Sequence, residues 1–578
     1  MFLQTISITI LAFLYFYIGL RKPKGFPPGP IWWPIIGSAL EVSRIRKATG
    51  CLYKACMVLS KRYGPIFGIK IGGDRIVVLN DYETIQSMLN NEDCDGRPDG
   101  FFYQARTRGQ RQGILVTDGS FWVEQRRFLL RHLREFGFGR DTMASLIEAE
   151  AVHLVEHLKK ISRTKKRDST PSTEPRDDCC RSRINSGQIY QLGSNGAIDE
   201  KEKSHPDSKD SNHGSNDVRT SPKTTLKIED MYVKPEDYDE VRKLSESGEM
   251  IISMNEVFGV PVLNTLWEMI AGKRYSNEDK KLLHLQRLLN SLLKDVDMTG
   301  CLFGYFPILR ILAPEMSGYK QFLDVHQHIW DFLNEELENH KTTFNPSQVR
   351  DLMDAYINMR LRTSNSESYT ESQLLATCLD LFIAGSETTS KALETCFLYL
   401  VLCPEVQEKA QREIDAVVGR DRLPTLADRP RMPYVDAIVL ESLRMFMGRT
   451  MNIPHRALKD TVIAGYRIPK DTMIVVNFNG ILMDEFWEDP EIFRPERFIN
   501  DAGTITIPSR FLPFSYGKHR CIGEVLAKSN VFLLTATLLQ TFTFSVVPGE
   551  TKPTIEFIDG VTISPKPYRA LVNLRFKK

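Results

Sequence analysis

One short segment near the carboxyl end restricts the fold and chemistry of this 578-residue chain more than any other feature. Residues 513–523 read PFSYGKHRCIG and run directly into a long segment with apolar residues at helical spacing. A helix that begins at Cys521 would place its sulfur beside unpaired backbone N–H groups and the positive end of the helix dipole, which both stabilise a thiolate. Gly517 and Gly523 allow a tight turn and a close approach of the backbone to a flat ligand. A lone cysteine is more often an inert buried residue, so the whole segment, not the thiol alone, indicates a reactive site.

Three further motifs precede this segment. Glu441 and Arg444 are spaced i, i+3 on one face of a predicted helix, and residues 493–498 read FRPERF. Residues 122–126 read WVEQR, which puts Trp122 and Arg126, both hydrogen-bond donors, at i, i+4 on one helix face. Taken alone, the acid–arginine pair is also compatible with a solvated ion pair.

A fourth motif lies in the middle of a helix predicted over residues 372–402. Residues 384–389 read AGSETT, and a glycine at such a position costs about 1 kcal/mol relative to alanine. Gly385 therefore indicates a place where a ligand comes close. Taken alone, Glu387, Thr388 and Thr389 would more often form an exposed turn of helix.

Together, and in this order, the motifs resemble those of the cytochrome P450 superfamily. The cysteine segment matches the pattern FxxGxxxCxG, and the resemblance implies that Cys521 is the proximal thiolate ligand of the iron of haem b. It also implies that Glu387 and Thr388 organise water and supply protons to iron-bound dioxygen. It further implies a buried structural charge cluster formed by Glu441, Arg444 and Arg497.

The resemblance also implies which side chains contact the haem propionates: Arg97, Trp122, Arg126, His455 and His519. One of them departs from the family, which usually has arginine two residues before the cysteine, where this chain has His519. Since histidine is often neutral at pH 7, Arg456 is an alternative to His519 as the propionate contact.

The family layout predicts a set of apolar positions that would line a substrate site. They are Phe101, Phe102, Ile114, Val116, Leu381, Phe382, Ala384, Met451, Ile453 and Val561. Because no charged group is among them, they favour a lipophilic substrate such as a steroid, a terpenoid or a fatty-acid-like compound. Each of these residues is equally compatible with plain core packing.

The amino-terminal segment predicts attachment to a membrane. Residues 1–20 contain no charged side chain, and as a helix they would span about 30 Å, the thickness of the hydrocarbon core of a bilayer. Arg21, Lys22 and Lys24 follow, which favours an uncleaved signal-anchor with the rest of the chain in the cytosol. Residues 21–38 then form a proline-rich hinge. A buried core helix is the alternative for residues 1–20.

The remaining chain, residues 39–578, is predicted to form one mainly α-helical haem domain with small β-sheets. Short β-like runs are too few and too widely spaced for a barrel or a doubly wound sheet. Residues 163–239 interrupt this domain with a polar tract too poor in apolar residues to offset the entropy of ordering. This tract is predicted to be a disordered insertion between two helices.

Finally, the sequence and the resemblance indicate partners. A net charge of +2 gives no reason to expect a nucleic acid. Residues 96–140 resemble microsomal clan-2 enzymes of insects, with family 303 the most similar, which implies the endoplasmic reticulum membrane, NADPH–cytochrome P450 reductase as electron donor and cytochrome b5 as a further candidate. A basic helix face with Arg127, Arg131 and Arg134 would dock this donor. Two other function classes stay open, a haem-thiolate isomerase or dehydratase that needs no dioxygen and a non-catalytic haem-binding protein.

Overall fold

The computed structural model describes residues 21–168, 250–363 and 367–576. Seventeen α-helices occur in this part of the chain. The first nine are α1 (Ala39–Thr49), α2 (Leu52–Tyr63), α3 (Tyr82–Leu89), α4 (Phe101–Ala105), α5 (Gly119–Glu135), α6 (Asp141–Asp168), α7 (Gly259–Ala271), α8 (Lys280–Asp295) and α9 (Leu302–Tyr305). The other eight are α10 (Leu309–Leu312), α11 (Tyr319–Thr343), α12 (Leu352–Arg362), α13 (Glu371–Leu402), α14 (Pro404–Val417), α15 (Pro433–Met447), α16 (Asn479–Leu482) and α17 (Glu524–Thr541), together with a 3₁₀ helix over Pro495–Phe498.

The strands form small sheets at the edges of the helical body. One sheet has the order β1 (Ile66–Ile71), β2 (Asp74–Leu79), β7 (Met473–Val476), β4 (His455–Arg456), in which only β2 and β7 run parallel. A second antiparallel sheet has the order β3 (Met250–Ser253), β11 (Arg569–Leu574), β8 (Phe542–Ser545). Two hairpins pair β5 (Thr461–Ile463) with β6 (Tyr466–Ile468) and β9 (Phe557–Ile558) with β10 (Ser564–Pro565). The predicted class, mainly α with small sheets, agrees with this architecture.

Helix α13 is the centre of the fold. It is 32 residues long and is buried along most of its length, because it packs against α7, α11, α15 and α17. A helix that is apolar nearly all round has to be covered on all sides by protein. At its amino end the Thr370 hydroxyl accepts a hydrogen bond from the Gln373 N–H at 3.1 Å, which caps the helix. Side chains on different faces of α13 therefore reach different parts of the interior.

Two predicted boundaries differ from the structure. Helix α17 begins at Glu524 with Gly523 as its cap, so Cys521 lies in the loop before the helix and not at its first residue. Helix α6 continues to Asp168, past the predicted start of the polar insertion at residue 163. The rest of that insertion, residues 169–239, lies outside the described residues.

The predicted anchor, residues 1–20, also lies outside the described part of the chain. Across residues 21–168, 250–363 and 367–576, none of the helices combines the length and the apolar character needed to cross a membrane.

Candidate active site

The cysteine segment folds as a compact loop in front of α17. The N–H of Cys521 donates to the carbonyl of Phe514 at 3.0 Å, which closes the loop. Gly517 has φ +76°, and a Cβ built on it would lie 2.8 Å from the carbonyl oxygen of Leu89. Only glycine fits there, for steric as well as conformational reasons. The predicted role of Gly517 in a tight turn thus matches its geometry.

The Cys521 thiol lies in a partly enclosed position before α17, which we call the recess. Its side chain is solvent-accessible, yet the surrounding protein desolvates it, and this burial raises the pKa of the thiol. The N–H of Gly523 and the charges of Arg126 and Arg520 act in the opposite direction but do not outweigh burial. The N–H of Gly523 thus favours the thiolate, as predicted, but burial outweighs it, and α17 itself begins three residues after Cys521. A bound metal ion deprotonates a coordinating thiol by its own charge.

Five predicted propionate contacts converge beside this recess. The rings of Trp122 and His519 lie 4.2 Å apart, and those of His455 and His519 lie 5.2 Å apart. The Arg126 guanidinium lies over the Trp122 ring at 5.2 Å. Arg97 Nη1 donates to the carbonyls of residues 453 and 454 at 2.9 and 3.1 Å. Residues from α5, the loop after α3, strand β4 and the cysteine loop are thus brought to one place.

The electrostatics of this group favour an anionic ligand. The Arg97 side chain is buried, and its Nε has no hydrogen-bond partner among the residues that the structure describes. Burial together with the charge of Arg126 lowers the pKa of Arg97 to about 10. Burial also lowers the pKa of Arg126. The nearby carboxylates of Asp95 and Asp118 are taken by other cations, Lys518 in the first case and Arg111 and Arg456 in the second. Two poorly compensated guanidiniums with an unused buried N–H fit the carboxylates of a haem group.

The two histidines of the group are neutral hydrogen-bonding residues. Burial, with the charge of Arg97, lowers the pKa of His519 to about 3 and that of His455 well below its usual value. His519 Nε2 lies 2.8 Å from the Asp95 carbonyl, and His455 Nδ1 lies 2.9 Å from the Cys94 carbonyl. Each ring keeps a second nitrogen for another partner.

Arg456, the alternative to His519, has its partners already. Its Nη2 lies 2.9 Å from Asp118 Oδ2, its Nη1 lies 2.6 Å from Asp471 Oδ1, and its Nε donates to the Arg97 carbonyl at 2.9 Å. Similarly, the Trp122 indole N–H donates to the carbonyl of Ile114 at 3.1 Å. Of the two candidate propionate contacts, His519 therefore lies against Trp122 and His455 and pairs with no carboxylate in the described part of the chain. Arg456 already pairs with two carboxylates.

The AGSETT segment presents side chains to two sides of α13. Thr388 is exposed between buried neighbours in the middle of the helix, and its hydroxyl donates to the Ala384 carbonyl at 2.8 Å. Glu387 is buried on the other side, and burial raises the pKa of its carboxyl. A Cβ on Gly385 would lie 2.2 Å from Cδ2 of Leu266 in α7. The close approach indicated by Gly385 is therefore helix packing and not ligand contact.

The acid–arginine motif forms a fully buried network. Arg444 Nε and Nη2 lie 2.7 and 2.8 Å from the two carboxylate oxygens of Glu441, and both side chains are 0% exposed. Glu441 Oε1 also accepts from the backbone N–H of Arg494 at 3.0 Å and from Arg497 Nε at 3.3 Å. Arg444 donates further to the carbonyls of Leu482 and Pro490, each at 2.8 Å. The geometry excludes a solvated ion pair and ties α15 to the segment around Pro495–Phe498.

The predicted substrate-lining residues divide into two groups. Phe101 and Phe102 join an aromatic cluster around Phe303, and the buried Phe382 packs edge-on against Trp267 and also contacts Phe332 at 5.8 Å. These placements favour core packing, and that of Phe382 argues against substrate contact because its ring is fully enclosed. Leu381 and Val116 are also buried. The half-buried members are Ile114, Ala384, Met451, Ile453 and Val561.

A further pair was missed from the sequence. Asp380 in α13 is 1% exposed, pairs with Arg106, and accepts from the backbone N–H groups of Ile114 and Leu115 at 2.6 and 2.9 Å. It thereby fixes the loop before α5 on the central helix. The signal was present, since an acid between Leu379 and Leu381 in an apolar helix needs a buried partner.

One other group of metal-ligating residues occurs in the described parts of the chain, formed by His340, Asp351 and Asp354. Their partners are internal. His340 Nε2 lies 3.0 Å from Asp351 Oδ2, Asp351 caps α12 by accepting from the Asp354 N–H at 2.9 Å, and Arg350 pairs with Asp354. This group therefore joins α11 to the start of α12 and is structural.

Comparisons with known proteins agree with this geometry. The family model described as Cytochrome P450 matches residues 27–186 and 218–572. The chain is 38% identical over 574 residues to Probable cytochrome P450 303a1 of Drosophila melanogaster, covering 98% of this chain and 97% of the relative. It is 31% identical over 573 residues to Farnesoate epoxidase of Bombyx mori, covering 99% of each, and 28% identical over 575 residues to Cytochrome P450 2J1 of Oryctolagus cuniculus, covering 98% and 95%.

Proposed function

Since the chain belongs to the cytochrome P450 family and is a haem-thiolate monooxygenase, we propose that it inserts one oxygen atom of O₂ into a lipophilic substrate with electrons from NADPH. We propose further that NADPH–cytochrome P450 reductase delivers these electrons at the endoplasmic reticulum membrane, with cytochrome b5 as a second donor. Residues 39–578 would form the haem domain, with the polar insertion outside its core. The observation that carries the proposal is the accessible Cys521 thiol beside the buried Arg97 and the half-buried Arg126, neither of whose guanidiniums pairs with a carboxylate within the described part of the chain.

In this proposal the chain holds haem b from two sides. Cys521 supplies the thiolate ligand, while Arg97, Arg126 and the neutral His519 bind the propionates. Trp122 and His455 pack against His519 and fix its ring. Once bound, the haem iron supplies the activation of dioxygen. The buried network of Glu441, Arg444 and Arg497 keeps the segment below this site in place.

We propose that Thr388 and Glu387 deliver the protons that the reaction consumes. The Thr388 hydroxyl donates to the Ala384 carbonyl, so its lone pairs are available to accept a hydrogen bond from water or from an acid. Burial raises the pKa of Glu387, which favours the protonated form of its carboxyl group, the form that can donate a proton. These residues thus supply acid catalysis through a hydrogen-bonded chain.

The site of the electron donor would be the exposed face of α5. Arg127, Arg131 and Arg134 are all exposed there. Arg131 is 3.1 Å from Glu135 and is therefore partly neutralised, whereas no ion pair of Arg127 or Arg134 is formed within the described part of the chain. A donor with an acidic surface would be attracted to these two residues first.

We expect that the double variant Arg127→Glu/Arg134→Glu slows reductase-supported turnover about tenfold or more at low salt, because like charges repel at the docking surface. Peroxide-driven turnover, which needs no reductase, should be unchanged. Stopped-flow measurement of the first electron transfer checks this. The matched control is Arg44→Glu/Lys47→Glu on the exposed face of α1, which should behave as wild type. Equal loss in both assays would contradict docking at α5.

Two exposed apolar segments support a membrane-associated position. Ile31, Trp33, Ile35 and Leu40 are each more than half exposed, as are the apolar residues Ile308, Ile311, Leu312 and Met316 around α10. The two segments adjoin one another. Gly37 pairs with Ile71, and a Cβ on the next residue, Gly72, would lie 2.3 Å from the carbonyl oxygen of Tyr305. Such a patch is suited to the bilayer surface, next to the anchor that we propose for residues 1–20.

The substrate class can be tested with a panel of lipophilic compounds. The panel would contain a steroid, a long-chain fatty acid and, because of the name of the Bombyx mori relative, farnesoic acid. For at least one compound we expect consumption of one NADPH and one O₂ per oxygenated product, measured by oxygen electrode and mass spectrometry with ¹⁸O₂. Product formation without O₂ consumption would instead favour an isomerase or dehydratase, and ¹⁸O-free product would contradict a monooxygenase reaction.

A further inference from the structure

A cavity, which we call the polar cavity because charged side chains of α8 and α13 line it, lies beside the central helix. It has a volume of about 350 Å³ and is lined by residues of α6, α7, α8, α13 and the carboxyl-terminal strands. Glu387 lines it, whereas Thr388 does not. Because a water molecule takes about 30 Å³ in the liquid, the cavity can hold several waters next to polar partners.

Three charged side chains of α13 face this cavity at helical spacing: Glu387, Lys391 and Glu394. We call them the charge triad. Lys391 Nζ lies 2.9 and 3.1 Å from the two oxygens of Glu394 and 4.0 Å from Glu387 Oε1. All three are more than nine-tenths buried. One buried ammonium therefore stands between two buried carboxyl groups, and it can neutralise only one of them fully at a time.

The groups that face the triad from other elements do not remove this imbalance. Asn290 of α8, with its amide turned toward the acid, donates to both oxygens of Glu387, and the Tyr568 hydroxyl donates to the backbone carbonyl of Glu394. The positive charge of Lys294 in α8 acts to lower the pKa of both carboxyl groups, but burial outweighs it. The other titratable groups of the cavity wall are His157, Glu256 and Arg287.

The protonation of the triad follows from its burial. Burial raises the pKa of Glu394 to about 7, although Lys391 acts against this, and burial also raises the pKa of Glu387. For Lys391 burial favours the neutral amine, but attraction to the two carboxylates outweighs it and raises the pKa. Near neutral pH the triad therefore holds one positive lysine and a proton that two carboxyl groups compete for.

We propose that Lys391 and Glu394 are positioning residues that recharge Glu387 with protons taken from the polar cavity. This inference rests on the proposed role of Glu387 as proton donor. When Glu387 gives its proton toward Thr388, Lys391 shifts toward the new carboxylate, and Glu394, now without its cation, takes up a proton from cavity water. That proton passes to Glu387 as Lys391 returns to Glu394, so that one proton enters from the cavity for each proton delivered.

Infrared titration of the full-length holoprotein tests the charge state of the triad directly. With ¹³C-labelled glutamate, we expect wild type to show a buried carboxylic-acid band that is present below about pH 7 and lost above it. The band should vanish in Glu394→Gln, shift to higher pH in Lys391→Met and be retained in Lys391→Arg. A wild-type spectrum without such a band, or a band unchanged in Glu394→Gln, would overturn the inference.

A second readout is the share of reductase-supported oxygen reduction that ends as hydrogen peroxide. In wild type this share should rise with pH above about 7, where the triad has lost the proton for which its two carboxyl groups compete. In Glu394→Gln we expect the peroxide share to rise about threefold to tenfold and to lose its dependence on pH. This change is smaller than the full 10²–10⁴-fold contribution of an acid catalyst, because Glu387 remains. The control is Glu371→Gln at the start of the same helix, which should leave the share unchanged.

The variant Glu387→Gln separates this inference from the proposed function. If Glu387→Gln raises the peroxide share while Glu394→Gln and Lys391→Met do not, the recharging role fails and the proton-donor role of Glu387 stands. If Glu387→Gln itself leaves the share unchanged, the proposed donor role fails as well.

Discussion

Replacement of Cys521 by alanine is expected to abolish the red-shifted Soret band of the carbon-monoxide complex of the reduced protein, together with all NADPH-supported turnover. The band requires a thiolate on the iron, and the mutation removes the Cys521 sulfur, which is the proposed ligand. The fold should persist, because the loop is closed by the backbone hydrogen bond from the Cys521 N–H to the Phe514 carbonyl, which alanine retains. Haem binding should weaken without disappearing, since the propionate contacts of Arg97 and Arg126 remain.

Cys403 offers a matched control for this measurement. It is a half-buried free cysteine that also stands directly before a helix, as the cap of α14, but it lies outside the recess. Cys403→Ala should therefore keep the red-shifted band and full turnover. Should wild type itself lack this band, or should Cys521→Ala retain it, the assignment of the thiolate ligand would be wrong.

The long helices could be predicted from the sequence because their apolar periodicity reflects burial. The helix predicted over residues 372–402 is Glu371–Leu402, and the predicted helix that carries Glu441 and Arg444 is Pro433–Met447. One-turn helices such as α9 and α10 escaped prediction because four residues do not establish a period. The start of α17 was predicted at Cys521, three residues before the observed start at Glu524. The tight loop that orients Cys521 contains the same residue types as a helix cap, so the sequence did not distinguish the two.

The residues of the site could be predicted from the sequence, but the partners that each of them contacts could not. The motifs named Arg97, Trp122 and His519, which come together although His519 is far from the other two in sequence. The groups that orient them are backbone carbonyls, such as that of Ile114 for Trp122, and composition carries no information about these. The pairing of Arg456 with Asp118 and Asp471 could not be seen either, because it depends on the packing of β4 against the loop before α5.

The charge triad shows the same limit. Glu387, Lys391 and Glu394 have i, i+4, i+7 spacing, which on an exposed helix would be an ordinary stabilising ladder worth a few tenths of a kcal/mol per pair. In α13 the same spacing lies inside the protein, where each charge must be compensated. The spacing alone therefore does not show whether these charges are exposed or buried. Their burial follows from the position of α13 at the centre of the fold.

The largest effect on folding is expected for Arg444→Leu. It would leave the Glu441 carboxylate, which is 0% exposed, with only the weaker contacts from Arg497 and the Arg494 N–H, and would orphan the carbonyls of residues 482 and 490. Removing one partner of a buried pair costs about 3–5 kcal/mol. That is a large part of the roughly 5–15 kcal/mol by which native proteins are stable. We expect most of the expressed chain to lack haem and the remainder to unfold at a clearly lower temperature.

An exposed ion pair provides the control for this loss. Arg360 pairs with Glu371 at the surface, so Arg360→Leu should cost at most about 1 kcal/mol and leave the haem content unchanged. The double variant Glu441→Leu/Arg444→Leu should recover part of the stability, because no unpaired carboxylate remains, but not all of it, because the two carbonyls stay orphaned. Haem content and thermal unfolding, followed by the Soret band, would measure all three. If Arg444→Leu unfolded at the same temperature as Arg360→Leu, the buried network would not be what holds the site together.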